Sequence, residues 1–162
     1  MALHTTKNDI SENRRQAVVD LLAARLSDAL DLTAQTKQAH WNVKGPSFIA
    51  LHQLFDTIYQ ASAANVDEIA ERLVALGGQA KGTVQQTVKQ TTLPAYPLDI
   101  ITGEDHCEAL STSMAAFGKQ VRAAIDAAST LGDQDTADLF TVMSRELDKN
   151  LWMVEAHLQA KR

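Results

Sequence analysis

Five side chains in the first half of the chain have the types and spacing of a metal centre: His40, His52, Asp56, Asp67 and Glu71. His52 and Asp56 are four residues apart, as are Asp67 and Glu71, so on a helix each pair can converge on one ion. Imidazole nitrogen combined with carboxylate oxygen suits Fe(II), Mn(II) or Zn(II) rather than Ca(II) or Cu(I). The two pairs of one chain cannot share an ion. Asp56 to Asp67 spans about 16 Å at ~1.5 Å of rise per residue, whereas such ligand bonds are about 2.0–2.2 Å long. A two-fold dimer with antiparallel copies of this helix removes the difficulty. It brings the His52/Asp56 end of one subunit to the Asp67/Glu71 end of the other, twice per dimer. His40, closing the preceding helix, can join the His52 end.

The row is set apart from the core. At about 100° per residue, Leu51, Phe55, Ile58, Ile69, Leu73 and Leu76 fall within about 60° of one another, a stripe that faces a bundle. His52, Asp56, Asp67 and Glu71 form a second row, centred about 140° away. Ile49 and Val74 give that row an apolar fringe, as an interface would have. Any one of these polar residues alone is most simply solvated; the conjunction of five is what points to a metal. Trp41 is by default a packed or interfacial aromatic. Its place beside His40 also makes it a candidate to take up oxidising equivalents. His4, His106 and His157 have no partner at ligand spacing and read as structural or surface groups. Cys107 falls on an apolar stripe and reads as a buried, inert thiol.

The elements that must position this row are helices. The three prolines and six of the seven glycines lie at Gly45-Pro46, in the stretch 77–103 and at Gly132. Long helical periodicities run between them. The first helix is expected from near Ser11 to His40, with Ser11 or Asp9 as its N-cap. Pro46 suits the first turn of the second helix, which Gly77-Gly78 should end. The third begins after Thr102, with Asp105 placed as in a capping box, and carries Cys107, Leu110, Met114, Phe117, Val121 and Ile125. Gly132 closes it. Asp133 or Asp135 can cap the fourth, whose seam is Leu139, Met143, Leu147, Leu151, Val154 and Leu158. Two connections are short and join antiparallel neighbours. The middle one, about 77 to 102, can run the length of a ~40 Å helix. The expected fold is therefore all-α: a ferritin-like four-helix bundle over residues 11–160, with a long crossover between the second and third helices and room for a short helix within it. Residues 1–10 read as a short flexible tail.

Composition narrows the class. The 162 residues are of a length for one domain with a real core, and the net charge of −5 argues against a generally basic, nucleic-acid-coating surface. One cysteine cannot close an intrachain disulfide, which fits a reducing compartment. Met1-Ala2-Leu3-His4 begins no apolar signal region, and no apolar run reaches the roughly 20 residues of a membrane helix. A cytoplasmic protein is expected.

Three runs carry a family resemblance. His40-Trp41-Asn42-Val43-Lys44-Gly45-Pro46-Ser47-Phe48-Ile49-Ala50-Leu51-His52, followed by Asp56, resembles the first signature of the Dps family of mini-ferritins. Val66-Asp67-Glu68-Ile69-Ala70-Glu71-Arg72, ending Leu76-Gly77-Gly78, resembles the second, and Asp148-Lys149-Asn150-Leu151-Trp152 the pattern of the last helix. The resemblance implies a hollow dodecamer built from two-fold dimers, with ferroxidase sites at the dimer interfaces. There Fe(II) would be oxidised, preferentially by hydrogen peroxide, and stored as ferric oxyhydroxide. His40, His52 and Asp56 match the ligands of one subunit; Asp67 and Glu71 match those of its partner. Larger ferritins place Glu-x-x-His motifs inside the bundle, and this sequence has none. The acids Asp133, Asp135 and Asp138 resemble the family's three-fold pore through which iron enters, although helix capping would explain them as well. DNA-compacting members use a lysine-rich terminus. Here Lys7, with Arg14 and Arg15 at the start of the first helix, and Lys161 and Arg162 at the other end, are all there is. DNA binding is expected to be weak or absent. A structural protein that compacts DNA by non-specific binding is the alternative reading.

Overall fold

The computed structural model describes residues 3–159. Five helices follow one another: α1 (Glu12–Asn42), α2 (Phe48–Ala75), α3 (Val84–Gln90), α4 (Gly103–Thr130) and α5 (Gln134–Gln159). The four long ones form the bundle, α1 pairing with α2 and α4 with α5. The short α3 lies in the crossover, where space for it was expected.

The apolar stripes close the core. Leu51, Phe55, Ile58, Ile69 and Leu73 of α2 and its C-cap Leu76 are all buried, against Leu22, Leu26 and Leu32 of α1 and Leu110, Met114, Phe117 and Phe140 from the other pair. Each such side chain contributes about 1.5–3 kcal/mol by leaving water. This fixes the rotation of α2 about its axis, and with it the direction of the polar row.

Helix ends follow local chemistry, with some departures from expectation. Thr102 caps α4: its hydroxyl accepts from the Asp105 amide at 3.2 Å and donates to the Asp105 carboxylate at 2.6 Å. Gly77 and Gly132 take positive φ, +92° and +76°, directly after the C-caps of α2 and α4, a conformation in which a side chain would be strained. Pro46 stands outside the first turn of α2, because Ser47 is the N-cap and the helix starts at Phe48. Helix α1 runs two residues past His40, so His40 and Trp41 lie in its last turn. Ser11 occupies its N-cap without a side-chain capping bond.

The N-terminal segment, expected to be a flexible tail, lies against the bundle where it is described. The His4 amide donates to the Gly77 carbonyl at 2.7 Å, and Leu3 and Ile10 pack on the core. A Cβ on Gly77 would stand 2.6 Å from the His4 carbonyl, so this close approach requires glycine. Arg15 is buried and donates to the carbonyls of Ile10 and Leu76, both at 3.0 Å. Its assignment as a DNA contact is therefore corrected: the guanidinium is committed to two backbone acceptors. Lys7 and Arg14 are exposed, while Lys161 and Arg162 lie outside the described residues.

The crossover is held by the polar side of α1. Asp28, with no exposure, accepts from the Thr92 amide at 2.7 Å and hydroxyl at 3.1 Å while pairing with Arg25 at 2.8 Å. Asp31 accepts from the Thr91 hydroxyl at 2.6 Å, and Gln35 donates to the Pro94 carbonyl at 3.0 Å. Further along, Tyr96 and the buried His106 are hydrogen-bonded at 2.6 Å. Burial lowers the His106 pKa and raises that of the adjacent Cys107 thiol to about 11. Both side chains are buried.

Candidate metal centre

The short turn after α1 folds His40 against His52. Each Nδ1 contacts the other residue's backbone carbonyl, His40 Nδ1 to His52 O at 2.8 Å and His52 Nδ1 to His40 O at 2.9 Å. A carbonyl only accepts, so each Nδ1 carries a proton, and in the neutral ring the lone pair is left on Nε2. The rings stack with centroids 3.7 Å apart, and Phe48 lies 5.2 Å from the His52 ring. A metal-binding imidazole held by its other nitrogen is the usual arrangement, since it fixes tautomer and orientation together.

Asp56 lies one turn beyond His52, 4.0 Å from His40 Nδ1. Its Oδ1 accepts from Lys37 Nζ at 2.6 Å, and Lys37 also stands over the Tyr59 ring, 4.4 Å from its centroid. That hydrogen bond, aided by the positive charge, keeps the Asp56 pKa below the usual carboxylate value. Lys37 is absent from the expected site. Its signal was its position one turn before His40 on the same helix face.

Asp67 and Glu71 are exposed on α2, far along the helix from the histidines. Among the described residues, no group of three or more His, Cys, Asp or Glu side chains is placed to hold a metal within one chain. His40 lies against His52 and within 4.0 Å of Asp56, yet these three are not themselves placed to hold an ion, and Asp67 and Glu71 lie apart from them. Apolar side chains flank the row uncovered: Trp41 is 68% exposed, Ile49 61% and Val74 53%. Exposed apolar groups that border a polar row mark an interaction surface.

The three acids at the start of α5 separate on inspection. Asp133 is buried, accepting from the Thr136 amide at 3.1 Å, the Thr136 hydroxyl at 2.6 Å and Arg72 at 2.6 Å. It caps α5 and neutralises Arg72, so its assignment to a pore is corrected. Asp135 and Asp138 are exposed.

Four long helices with one long crossover define the ferritin-like class, and residues 19–162 match the ferritin-like domain family. Within that class the chain belongs to the Dps family. It is 47% identical to a DNA protection during starvation protein of Agrobacterium fabrum, with 99% of each chain covered. The like-named protein of Mycolicibacterium smegmatis is 34% identical, over 93% of this chain and 82% of its own. Among solved structures, Dps from Mycobacterium smegmatis superposes with a TM-score of 0.92 at 33% identity, covering 96% of this chain and 95% of that one. DpsA14 from Streptomyces coelicolor superposes with a TM-score of 0.93 at 31% identity, covering 99% and 95%.

Proposed function

We propose that the chain is an iron-oxidising, iron-storing mini-ferritin, with ferroxidase sites formed between subunits. The observation that carries this reading is the split row on α2. The His40/His52 pair, each ring held through Nδ1, lies beside Asp56, which is 4.0 Å from His40 Nδ1, while Asp67 and Glu71 are exposed farther along α2, too distant for the same ion. Antiparallel pairing of two α2 helices completes two sites per dimer, and dimers build the dodecameric shell.

Iron is the substrate and the cargo. Mixed nitrogen and carboxylate donors accept Fe(II), and the carboxylates hold the higher charge of Fe(III) once an electron has left. Two Fe(II) ions and one hydrogen peroxide, with two protons, give two Fe(III) ions and two waters. Taking electrons in pairs avoids releasing hydroxyl radical. A cation arriving at Asp56 competes with Lys37 for its Oδ1. Trp41, exposed beside His40, is the residue to intercept an oxidising equivalent that escapes. Asp135 and Asp138, exposed at the start of α5, are the acids to draw iron inward, where it is stored as ferric oxyhydroxide.

The relatives' name concerns protection of DNA. In this chain such protection rests on removing iron and peroxide in the cytoplasm rather than on tight DNA binding. No helix among the described residues is long and apolar enough to cross a membrane. Of the basic residues near the N-terminus, only Lys7 and Arg14 remain exposed. Non-specific affinity depends on the number of phosphates neutralised and falls steeply with salt, although twelve copies multiply weak contacts. DNA compaction, the alternative function, predicts saturating retention in a mobility shift at physiological salt, whereas this reading predicts weak or no retention.

The direct test compares Fe(II) oxidation by peroxide and by oxygen in the unaltered protein and in a His40→Ala, Asp67→Ala, Glu71→Ala variant. The variant should lose the fast peroxide reaction; equal rates would reject the site.

A further inference from the structure

Among the described residues the side chains of Asp67 and Glu71 make no hydrogen bond or ion pair, yet the backbone between them is braced. Two side-chain ties run from α2 to α5, and they bracket the two carboxylates. Before them, Asn65 Nδ2 donates to Glu146 Oε2 at 2.8 Å. After them, Arg72 Nε donates to the Thr136 hydroxyl at 3.0 Å and its NH2 pairs with Asp133 at 2.6 Å. The second tie is rigid. Asp133 is buried and itself bound to the first turn of α5, and the Arg72 side chain is only 17% exposed. Arg72 NH1 lies 3.7 Å from Asp135, whose side chain is mostly exposed.

A splint of this kind matters only for a site completed by another subunit. Ligands within one bundle are located by their own core, but Asp67 and Glu71 must project to a fixed depth and angle across an interface. Resting on the proposed ferroxidase site, we propose that Arg72 and Asn65 are positioning residues for the carboxylate half of that site. They lock the last three turns of α2 to α5 and set where Asp67 and Glu71 meet the partner subunit's histidines. Partners that orient ligands without touching the metal typically change metal affinity about 10–100-fold when removed.

The probe is Co(II), titrated into the assembled protein and followed by its ligand-field absorption. In an Arg72→Met, Asp133→Asn double variant, Met keeps the apolar stem and Asn keeps a capping side chain, so no buried charge is stranded. Asn65→Ala removes the other tie. With assembly verified by size and helicity, the double variant should bind Co(II) about ten-fold more weakly, and Asn65→Ala should bind it more weakly as well. Both should show altered band intensities, which a loss of stability alone would not produce. Unchanged affinity and spectrum in the assembled double variant would overturn the proposal. Should that variant not assemble, Asn65→Ala decides by the same criterion. Glu71→Ala separates the two levels of inference. If it loses Co(II) while the splint variants keep it, only the splint fails; if it too binds like the unaltered protein, the site fails and the splint with it.

Discussion

His40 and His52 hold each other through their backbones, each Nδ1 donating to the other's carbonyl at 2.8 and 2.9 Å. Neither ring can turn without releasing the other's stacking partner, so the pair behaves as a unit. Replacing either by alanine should slow peroxide-driven iron oxidation by about ten-fold or more, since an orienting partner alone is worth that much. The double replacement should cost much less than the product of the two single effects. Stopped-flow rates on the three variants would show this, and strictly multiplicative losses would argue that the rings act independently.

Sharing across a two-fold axis has an arithmetic consequence. One variant lacks His40, His52 and Asp56, a second lacks Asp67 and Glu71, and each alone should be inactive. Dissociated, mixed equally and reassembled, half of the dimers are mixed, and each mixed dimer regains one of its two sites. Activity should return to about a quarter of that of the unaltered protein. No recovery, in mixtures shown by mass to contain hybrid dimers, would place the site within a single chain.

Much of this was legible because helices repeat every 3.6 residues. The buried apolar stripe from Leu51 to Leu76 and the separate polar row follow from that period, and the Thr102/Asp105 cap from a local motif. The fates of Arg15, Asp28 and Asp133 were illegible for a common reason. Their partners, Leu76, Thr92 and Arg72, stand 61, 64 and 61 residues away in sequence. Charge advertises exposure, and only the tertiary fold reveals which charges have been given buried partners. The same holds for the splint on α5, where neither Asn65 nor Arg72 belongs to any ligand pattern.

Asp28 offers a stability test away from the site. Asp28→Ala strands Arg25 and leaves the Thr92 amide and hydroxyl without their acceptor. Removing one member of a buried ion pair costs about 3–5 kcal/mol. Denaturant unfolding should register that loss, with proteolysis first appearing in the crossover. A change below about 0.5 kcal/mol, the range of ordinary surface substitutions, would mean that Asp28 does not anchor it.

His106 sets an acid limit. Burial lowers its pKa, so the unfolded chain takes up a proton at a higher pH than the folded one. Its contribution to stability is complete above the unfolded value of about 6.5 and is lost as pH falls toward the folded value. His106→Gln should flatten the stability profile in that window, whatever constant loss it causes at pH 8 by disturbing the bond to Tyr96; an identical acid arm would exclude His106 as its source. With its pKa raised to about 11, Cys107 should resist thiol reagents at pH 8 until the chain unfolds.

The attachment of the crossover to α1 bears on the order in which the chain takes shape. Thr91, Thr92 and Pro94 find their partners on Asp31, Asp28 and Gln35, all of them translated before the crossover itself. A nascent chain can therefore fold α1 against α2 and lay the first half of the long connection along α1 while α4 is still being made. The start of α4 is then delivered to the correct end of the bundle by residues that precede it, and the second helical hairpin has only to close on a template already in place.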